Sequence, residues 1–305
     1  METALILVRQ ILQMFLYAGI GYVLFKTGRI SQDGSKALGN ILIYVALPAV
    51  IIRGFLVSRT TENTAGLLWS AGAAAVLLLV SICVARFSFR KDAVGAFASA
   101  FSNPGFFGIP LIIASVGEGA VFYAAPYIAF LNLCQWTWGV SVLTGQPVLK
   151  GFQARKLLTA PFTIAILVGL ILYFTQFRLP EIVSGCLTAA ASLNTPLAMF
   201  TVGVYLGQTD IRRMFQRKVL YGISAVRLLL VPALALLLLS LLPASLREIK
   251  TALLLAAACP VGSNVAVYAQ LHDQDYPYAV ETVVISTLWS VLTIPAIVWL
   301  SSLLW

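Results

Sequence analysis

The stretch AFASAFSNPGFFGIPLIIASVG, residues 96–117, decides how the chain folds. It is long and apolar enough to cross a lipid bilayer as a helix. Its middle, however, carries Asn103, Pro104, Gly105, Gly108 and Pro110. Proline removes a backbone donor and clashes with the preceding turn, and glycine weakens a helix further. The sequence therefore predicts a membrane helix that is interrupted within residues 102–110.

A second stretch, LLLAAACPVGSNVAVYAQ at residues 253–270, has the same character. It is interrupted around Pro260, Gly262, Ser263 and Asn264. In hydrocarbon, an unwound backbone persists only where protein or a water-lined cavity satisfies its polar groups. Two interrupted spans in corresponding places of two halves indicate the binding site of a secondary transporter.

The composition is typical of a polytopic membrane protein. Of the 305 residues, 60% are hydrophobic and 10% are charged, and the mean hydropathy is +0.94. No soluble core needs so much apolar sequence. Prolines inside other spans, such as Pro48 and Pro232, should bend those helices rather than end them. The predicted fold class is all-α and integral to the membrane, with ten transmembrane helices at roughly 3–25, 35–57, 65–87, 94–116, 119–145, 158–178, 182–206, 217–242, 248–271 and 278–303.

Basic residues orient these spans. The net charge of +9 comes from lysines and arginines in short loops, so it does not indicate nucleic-acid binding. They concentrate after odd-numbered spans, as at residues 26–36, 86–91, 150–156 and 212–218. By the positive-inside rule these loops are cytoplasmic, and both termini are expected to be extracytoplasmic. We therefore expect a multi-pass protein of the plasma or inner membrane.

The two halves of the chain repeat one pattern. The first five-helix repeat covers residues 1–145, a basic cytoplasmic linker covers 146–157, and the second repeat covers 158–305. In two spans a proline is followed by a glycine. The second span, ALPAVIIRGFL, carries Pro48 and later Gly54, and the seventh, NTPLAMFTVGVYL, carries Pro196 and later Gly203. Because five is an odd number, consecutive copies must face opposite ways. The result is an inverted repeat, which places a substrate site near the bilayer midplane.

Several motifs carry a resemblance to a known family. The run SNPGFFGIPLIIASVGEGA resembles the fourth-span signature of the auxin efflux carrier family. AVRLLLVPAL in the eighth span, ACPVGSN in the ninth and STLWSVLTIPAIVWL in the tenth are also similar to that family, so the resemblance covers the whole chain. Pro104 stands where threonine is usual, and the ninth span has one proline where plant PIN auxin carriers have a further one. Lacking the long cytoplasmic loop of many plant members, the chain resembles short prokaryotic carriers, which are associated with malate, malonate and auxin-like acids.

The resemblance implies more than the residues alone predict. It implies that the fourth and ninth helices cross at their breaks and that the protein is a homodimer. It also implies an elevator-type motion of spans 3–5 and 8–10 against a scaffold of spans 1, 2, 6 and 7. The related bile acid:sodium symporters suggest an alternative, in which backbone carbonyls and amides hold a sodium ion.

Each break offers donors for an anion. The second half of a broken helix begins with free backbone N–H groups and the positive end of a dipole. Such ends bind anions without a full countercharge, which also permits release. Alternatively, the asparagines only cap the broken helix ends. The candidate substrate-binding residues at the breaks are Asn103, Pro104, Gly105, Pro260, Gly262, Ser263 and Asn264.

Other polar residues lie within the predicted spans. Arg227, deep in the eighth span, either attracts the anion or ties down carbonyls freed at a helix break. Asn132 and Gln135 in the fifth span either line the pocket, as the resemblance implies for Asn132, or bond between helices. Asn40 and Asn194, in the second and seventh spans, are candidates for mirrored positions at the scaffold wall.

Acidic residues are scarce within the spans. Glu281 alone is placed inside one, and it either carries a coupling proton or lies at the level of the lipid headgroups. No carboxylate lies at either break. We therefore expect no metal site, and a carboxylate-based cation site has little support in the sequence.

The sequence favours a carrier over an enzyme. It contains no P-loop, no Ser-His-Asp set and no HExxH motif, and it has a single histidine. We predict a secondary carrier for a small organic carboxylate anion, without cofactors except a coupling Na⁺ or H⁺. Its expected partners are the substrate, membrane lipids and a second copy of the chain. The alternatives are a sodium-coupled organic-anion symporter of bile-acid type, a channel or a membrane sensor.

Overall fold

The computed structural model describes residues 2–148, 155 and 158–305, so most of the predicted linker at 146–157 lies outside the described residues. Helices occupy the predicted spans and are numbered α1–α10 accordingly. The first five are α1 Glu2–Lys26, α2 Gln32–Gly54, α3 Thr61–Ser88, α4 with halves Ala93–Ala100 and Pro104–Ser115, and α5 from Val121–Cys134 through Gln135–Gly139 to Val140–Thr144. The others are α6 Pro161–Thr175, α7 Glu181–Gln208, α8 Lys218–Ser240, α9 with halves Arg247–Ala258 and Asn264–Leu271, and α10 Tyr276–Leu304.

Six of the described helices are long and apolar enough to cross a membrane, namely α1, α2, α3, α7, α8 and α10. Two shorter apolar helices are α6 and the second half of α4. Neither α4 nor α9 forms one long helix, because each is interrupted where the sequence places proline and glycine.

Two prolines, Pro48 and Pro232, follow widened turns in helices that they do not break. The turn Leu42–Ala46 precedes Pro48 and the turn Val226–Leu230 precedes Pro232, and both turns are π-helical. A proline cannot donate to the preceding turn and presses against it, and one widened turn relieves this conflict. The prediction that these prolines do not end α2 and α8 is confirmed, because both helices continue past them.

Helices α1 and α7 approach each other closely at glycine. A Cβ atom at Gly203 would overlap the carbonyl oxygen of Ala18 and lie 2.7 Å from the amide nitrogen of Tyr22. Gly21 on α1 faces the backbone of Phe200 in the same way. The absence of side chains at these positions therefore sets the distance between the two helices.

Gly203→Ala is expected to lower the stability of the folded protein by about 1–3 kcal/mol, the usual cost of overpacking. The thermal unfolding midpoint in detergent, followed by tryptophan fluorescence, measures this loss. Gly19→Ala is the matched control, since a Cβ atom there meets nothing within 4 Å. Equal midpoints for the two variants would show that the close contact does not hold α1 against α7.

Candidate functional site

The breaks of α4 and α9 lie against each other. Ser102 and Val261 form an antiparallel pair across the two breaks. The amide of Asn103 donates to the carbonyl oxygen of Pro260 at 3.0 Å, and the amide of Gly262 donates to that of Phe101 at 3.0 Å. Each unwound segment thereby satisfies the backbone of the other, as burial away from water requires.

Two further features hold this pairing in place. A Cβ atom at Gly262 would lie only 2.8 Å from the carbonyl oxygen of Ser102, so the close approach requires glycine. The hydroxyl of Ser286 on α10 accepts a hydrogen bond from the amide of Val261 at 3.1 Å. Sequence reasoning missed Ser286, although the spacing of Thr282, Ser286 and Ser290 marks one polar face of α10.

Four of the predicted site residues meet at the paired breaks. The side-chain amide of Asn103 donates to the hydroxyl oxygen of Ser263 at 3.1 Å, and that of Asn264 donates to Oε1 of Gln135 at 3.1 Å. The Oδ1 atom of Asn103 accepts from the amide of Phe106 at 3.4 Å. Asn103 therefore caps the second half of α4 and also reaches across to α9.

Some buried polar atoms near the breaks have no partner among the described residues. Nε2 of Gln135 is one, and Oδ1 of Asn194 is another. The other amide atom of Asn194 donates to the carbonyl oxygen of Gly105, at 3.3 Å. Because an unsatisfied buried polar atom is costly, these two atoms mark places where a polar ligand gains stabilisation.

Two other candidate residues, Asn132 on α5 and Pro104 at the break of α4, make different contacts. Asn132 is buried, and its side-chain amide donates to the carbonyl oxygen of Ile128 in its own helix at 2.8 Å. Pro104 is buried at the first position of the second half of α4, where a missing backbone donor costs least.

Arg227 lies behind the breaks and is fully buried. Its Nη1 atom donates to the carbonyl oxygens of Ser99 at 3.2 Å and Ala100 at 3.1 Å, at the end of the first half of α4. Its Nη2 atom donates to the carbonyl oxygen of Ala257, near the end of the first half of α9. One guanidinium thus joins both broken helices, which is the second of its two predicted roles.

Glu281 is buried near the start of α10 and pairs with Arg217 at 2.5 Å. The hydrogen bond with Glu281 raises the pKa of the Arg217 guanidinium. The phenol of Tyr278 lies 5.1 Å from the same guanidinium and donates to Asp92 at 2.6 Å. The cluster joins the ends of α4, α8 and α10, whereas the coupling-proton role of Glu281 stays a prediction.

A cavity of about 260 Å³ reaches the second half of α9. Ser263 and Asn264 line one part of it, and Lys36 and Asn40 on α2 line another. Among its other lining residues, Tyr276 on α10 donates to Oε1 of Gln208 on α7 at 3.4 Å. Because Lys36 belongs to a predicted cytoplasmic loop region, the cavity connects the breaks with the predicted cytoplasmic side.

Comparisons with known proteins cover nearly the whole chain. A family model described as "Membrane transport protein" matches residues 6–147 and again residues 147–298. A protein of Rhizobium meliloti named "Putative malonate transporter" is 28% identical over 303 residues, which is 93% of each chain. An uncharacterized transporter of Methanocaldococcus jannaschii is 25% identical over 301 residues, covering 92% of this chain and 94% of the relative.

Proposed function

This chain belongs to the membrane transport protein family, that of the auxin efflux carriers, and we propose that it is a secondary carrier for a small carboxylate anion. It is a multi-pass membrane transporter and not an enzyme. The paired breaks of α4 and α9 are the observation that carries the proposal. They gather neutral amide and hydroxyl donors beside the first turns of two half-helices.

We propose that the anion binds where the second half-helices begin. First-turn amides such as those of Gly105 and Asn264 have no acceptor within their own helix. The dipoles of the half-helices and the amides of Asn103 and Asn264 would together stabilise a carboxylate. The name of the Rhizobium meliloti relative supports a dicarboxylate such as malonate over an auxin-like acid.

The proposed architecture has ten transmembrane helices in two inverted repeats, 1–145 and 158–305. The two consecutive matches of the family model support this division. In the proposed elevator motion, α3–α5 and α8–α10 move against α1, α2, α6 and α7. The cavity between Lys36 and Ser263 lies at the boundary between these two groups of helices. We also propose a homodimer with both termini extracytoplasmic, in the plasma or inner membrane.

Electrical recording on solid-supported membranes tests the proposal. Purified protein in liposomes is presented with malonate, malate, indole-3-acetate and the neutral control malonamide. Saturable currents for a carboxylate and none for malonamide would support a carrier. Currents that do not saturate with concentration would favour a pore instead, and the absence of transport for every acid would overturn the proposal.

The sodium-coupled alternative makes a different prediction. In transporters with broken helices, carbonyls at the ends of half-helices commonly coordinate Na⁺. Here the carbonyls of Ser99, Ala100 and Ala257 already accept hydrogen bonds from Arg227. These carbonyls therefore need no Na⁺ to satisfy them. We expect the transport rate to change less than about twofold when choline replaces Na⁺. A strict requirement for Na⁺ would favour the symporter of bile-acid type.

A further inference from the structure

A second cavity shares no lining residue with the one that reaches the second half of α9. Its volume is about 510 Å³, and it is lined by the end of α3, the loop to α4 and the end of α5. Three basic residues, Arg86, Arg90 and Lys91, contribute to its wall. Nη1 of Arg86 donates to the carbonyl oxygen of Arg90 at 3.1 Å, which holds one guanidinium in position.

The positive charge of this cavity is not neutralised within the described residues. No carboxylate is among its described lining residues, and none of the three bases forms an ion pair there. The adjacent carboxylate, that of Asp92, accepts hydrogen bonds from the amide of Gly95 at 2.8 Å and the phenol of Tyr278 at 2.6 Å. Three cations around one open cavity attract a phosphate group.

The cavity also lies where a lipid can reach it. Helix α3 ends at Ser88, so the bases stand at the boundary of the membrane-spanning segment. Phe87 is 68% exposed, and the guanidinium of Arg90 lies 5.1 Å from its ring centroid. Trp138, an aromatic residue of the kind enriched at membrane interfaces, also lines the cavity. Basic pockets on the cytoplasmic side of membrane proteins bind anionic headgroups, and the apolar neighbours suit acyl chains.

We propose that this cavity binds the phosphate headgroup of an anionic phospholipid from the cytoplasmic leaflet. The charges would hold the phosphate, while the exposed ring of Phe87 would contact the acyl chains. A soluble phosphate would contact only the basic side chains and would gain nothing from Phe87. The site consists of residues from the end of α3 to the start of α4 and from the end of α5 to Pro147, and it does not depend on the identity of the transported acid.

Binding of fluorescent cardiolipin to the purified detergent-solubilised protein tests the site. The triple variant Arg86→Gln, Arg90→Gln, Lys91→Gln is expected to weaken binding about 100-fold, because each base near the surface contributes about a factor of five. The control variant Arg212→Gln, Arg213→Gln, Lys218→Gln removes equal charge from another predicted cytoplasmic loop region. We expect it to bind cardiolipin within about threefold of wild type.

Two competition arms identify the source of the phosphate. Phosphatidylcholine should fail to displace cardiolipin, and glycerol phosphate should displace it only at concentrations at least 100-fold higher. Equal weakening in both triple variants would overturn the proposal in favour of general charge attraction. Displacement by glycerol phosphate as readily as by unlabelled cardiolipin would show that the ligand is a soluble phosphate. For these comparisons, both triple variants must keep the wild-type melting midpoint. The double variant Arg90→Gln, Lys91→Gln repeats the test with a smaller change.

Discussion

Arg227→Met is expected to abolish transport and to lower the stability of the folded protein by several kcal/mol. The variant removes the guanidinium donors to the carbonyl oxygens of Ser99, Ala100 and Ala257. Among the described residues, only Ala100 keeps a second donor, the hydroxyl of Ser81 at 2.7 Å. A buried acceptor left without a donor costs about 1–3 kcal/mol, and Arg227 itself is fully buried. No bulk water is present at this depth to replace the lost donors. Both broken helices should therefore lose their alignment together.

The thermal unfolding midpoint in detergent and uptake by proteoliposomes measure the two effects. Arg227→Lys should have a melting midpoint and an uptake rate between those of wild type and Arg227→Met. One ammonium group cannot donate to carbonyls at both breaks as the planar guanidinium does. Arg9→Met is the control, since Arg9 is an exposed base within α1. An Arg227→Met protein with wild-type melting and uptake would contradict the role of this side chain.

Asn103→Asp is expected to keep the fold and to weaken anion binding about a thousandfold. Aspartate retains the oxygen that accepts from the amide of Phe106, so the cap of α4 survives. It loses the donor to Ser263 and places a negative charge beside the proposed carboxylate. Repulsion between unit charges about 4 Å apart is about 4 kcal/mol at the effective dielectric constant of a protein site, which corresponds to the stated factor.

Equilibrium binding of the transported acid, measured by calorimetry on the purified variant, checks this expectation. Asn103→Ala loses the donor without adding charge and should give a smaller effect of about tenfold. Gln216→Glu adds the same charge at an exposed position on the predicted cytoplasmic side, and it should leave the affinity unchanged. Equal affinities for Asn103→Asp and Gln216→Glu would place the anion away from α4.

The positions of the breaks could be predicted because they depend on local chemistry. Pro104 and Gly105 in one span, and Pro260 and Gly262 in the other, weaken a helix whatever surrounds them. That the two breaks meet was expected only from the resemblance to a family. Contact between Asn103 and Ser263 joins residues 160 positions apart, and no periodicity in the sequence encodes that distance.

Side-chain partners within the site were harder to predict. The sequence allowed two roles for Arg227, attracting the anion or binding freed carbonyls. It could not decide between them, because every residue carries a backbone carbonyl and the sequence does not mark which ones Arg227 meets. The pair of Glu281 with Arg217 depends on how α8 and α10 pack, so the sequence suggested headgroup level or a proton site instead. Asn194 was recognised as a polar residue within a span, but its contact with Gly105 required the structure.

The position of the bound anion tests the central claim most directly. A brominated analogue of the transported acid, such as bromomalonate if malonate is carried, can be located in a crystal by its anomalous scattering. We expect one bromine peak within about 5 Å of the side-chain amides of Asn103 and Asn264, with the breaks still paired. A peak elsewhere in the protein, with the breaks unoccupied, would contradict an anion site at the ends of the broken helices.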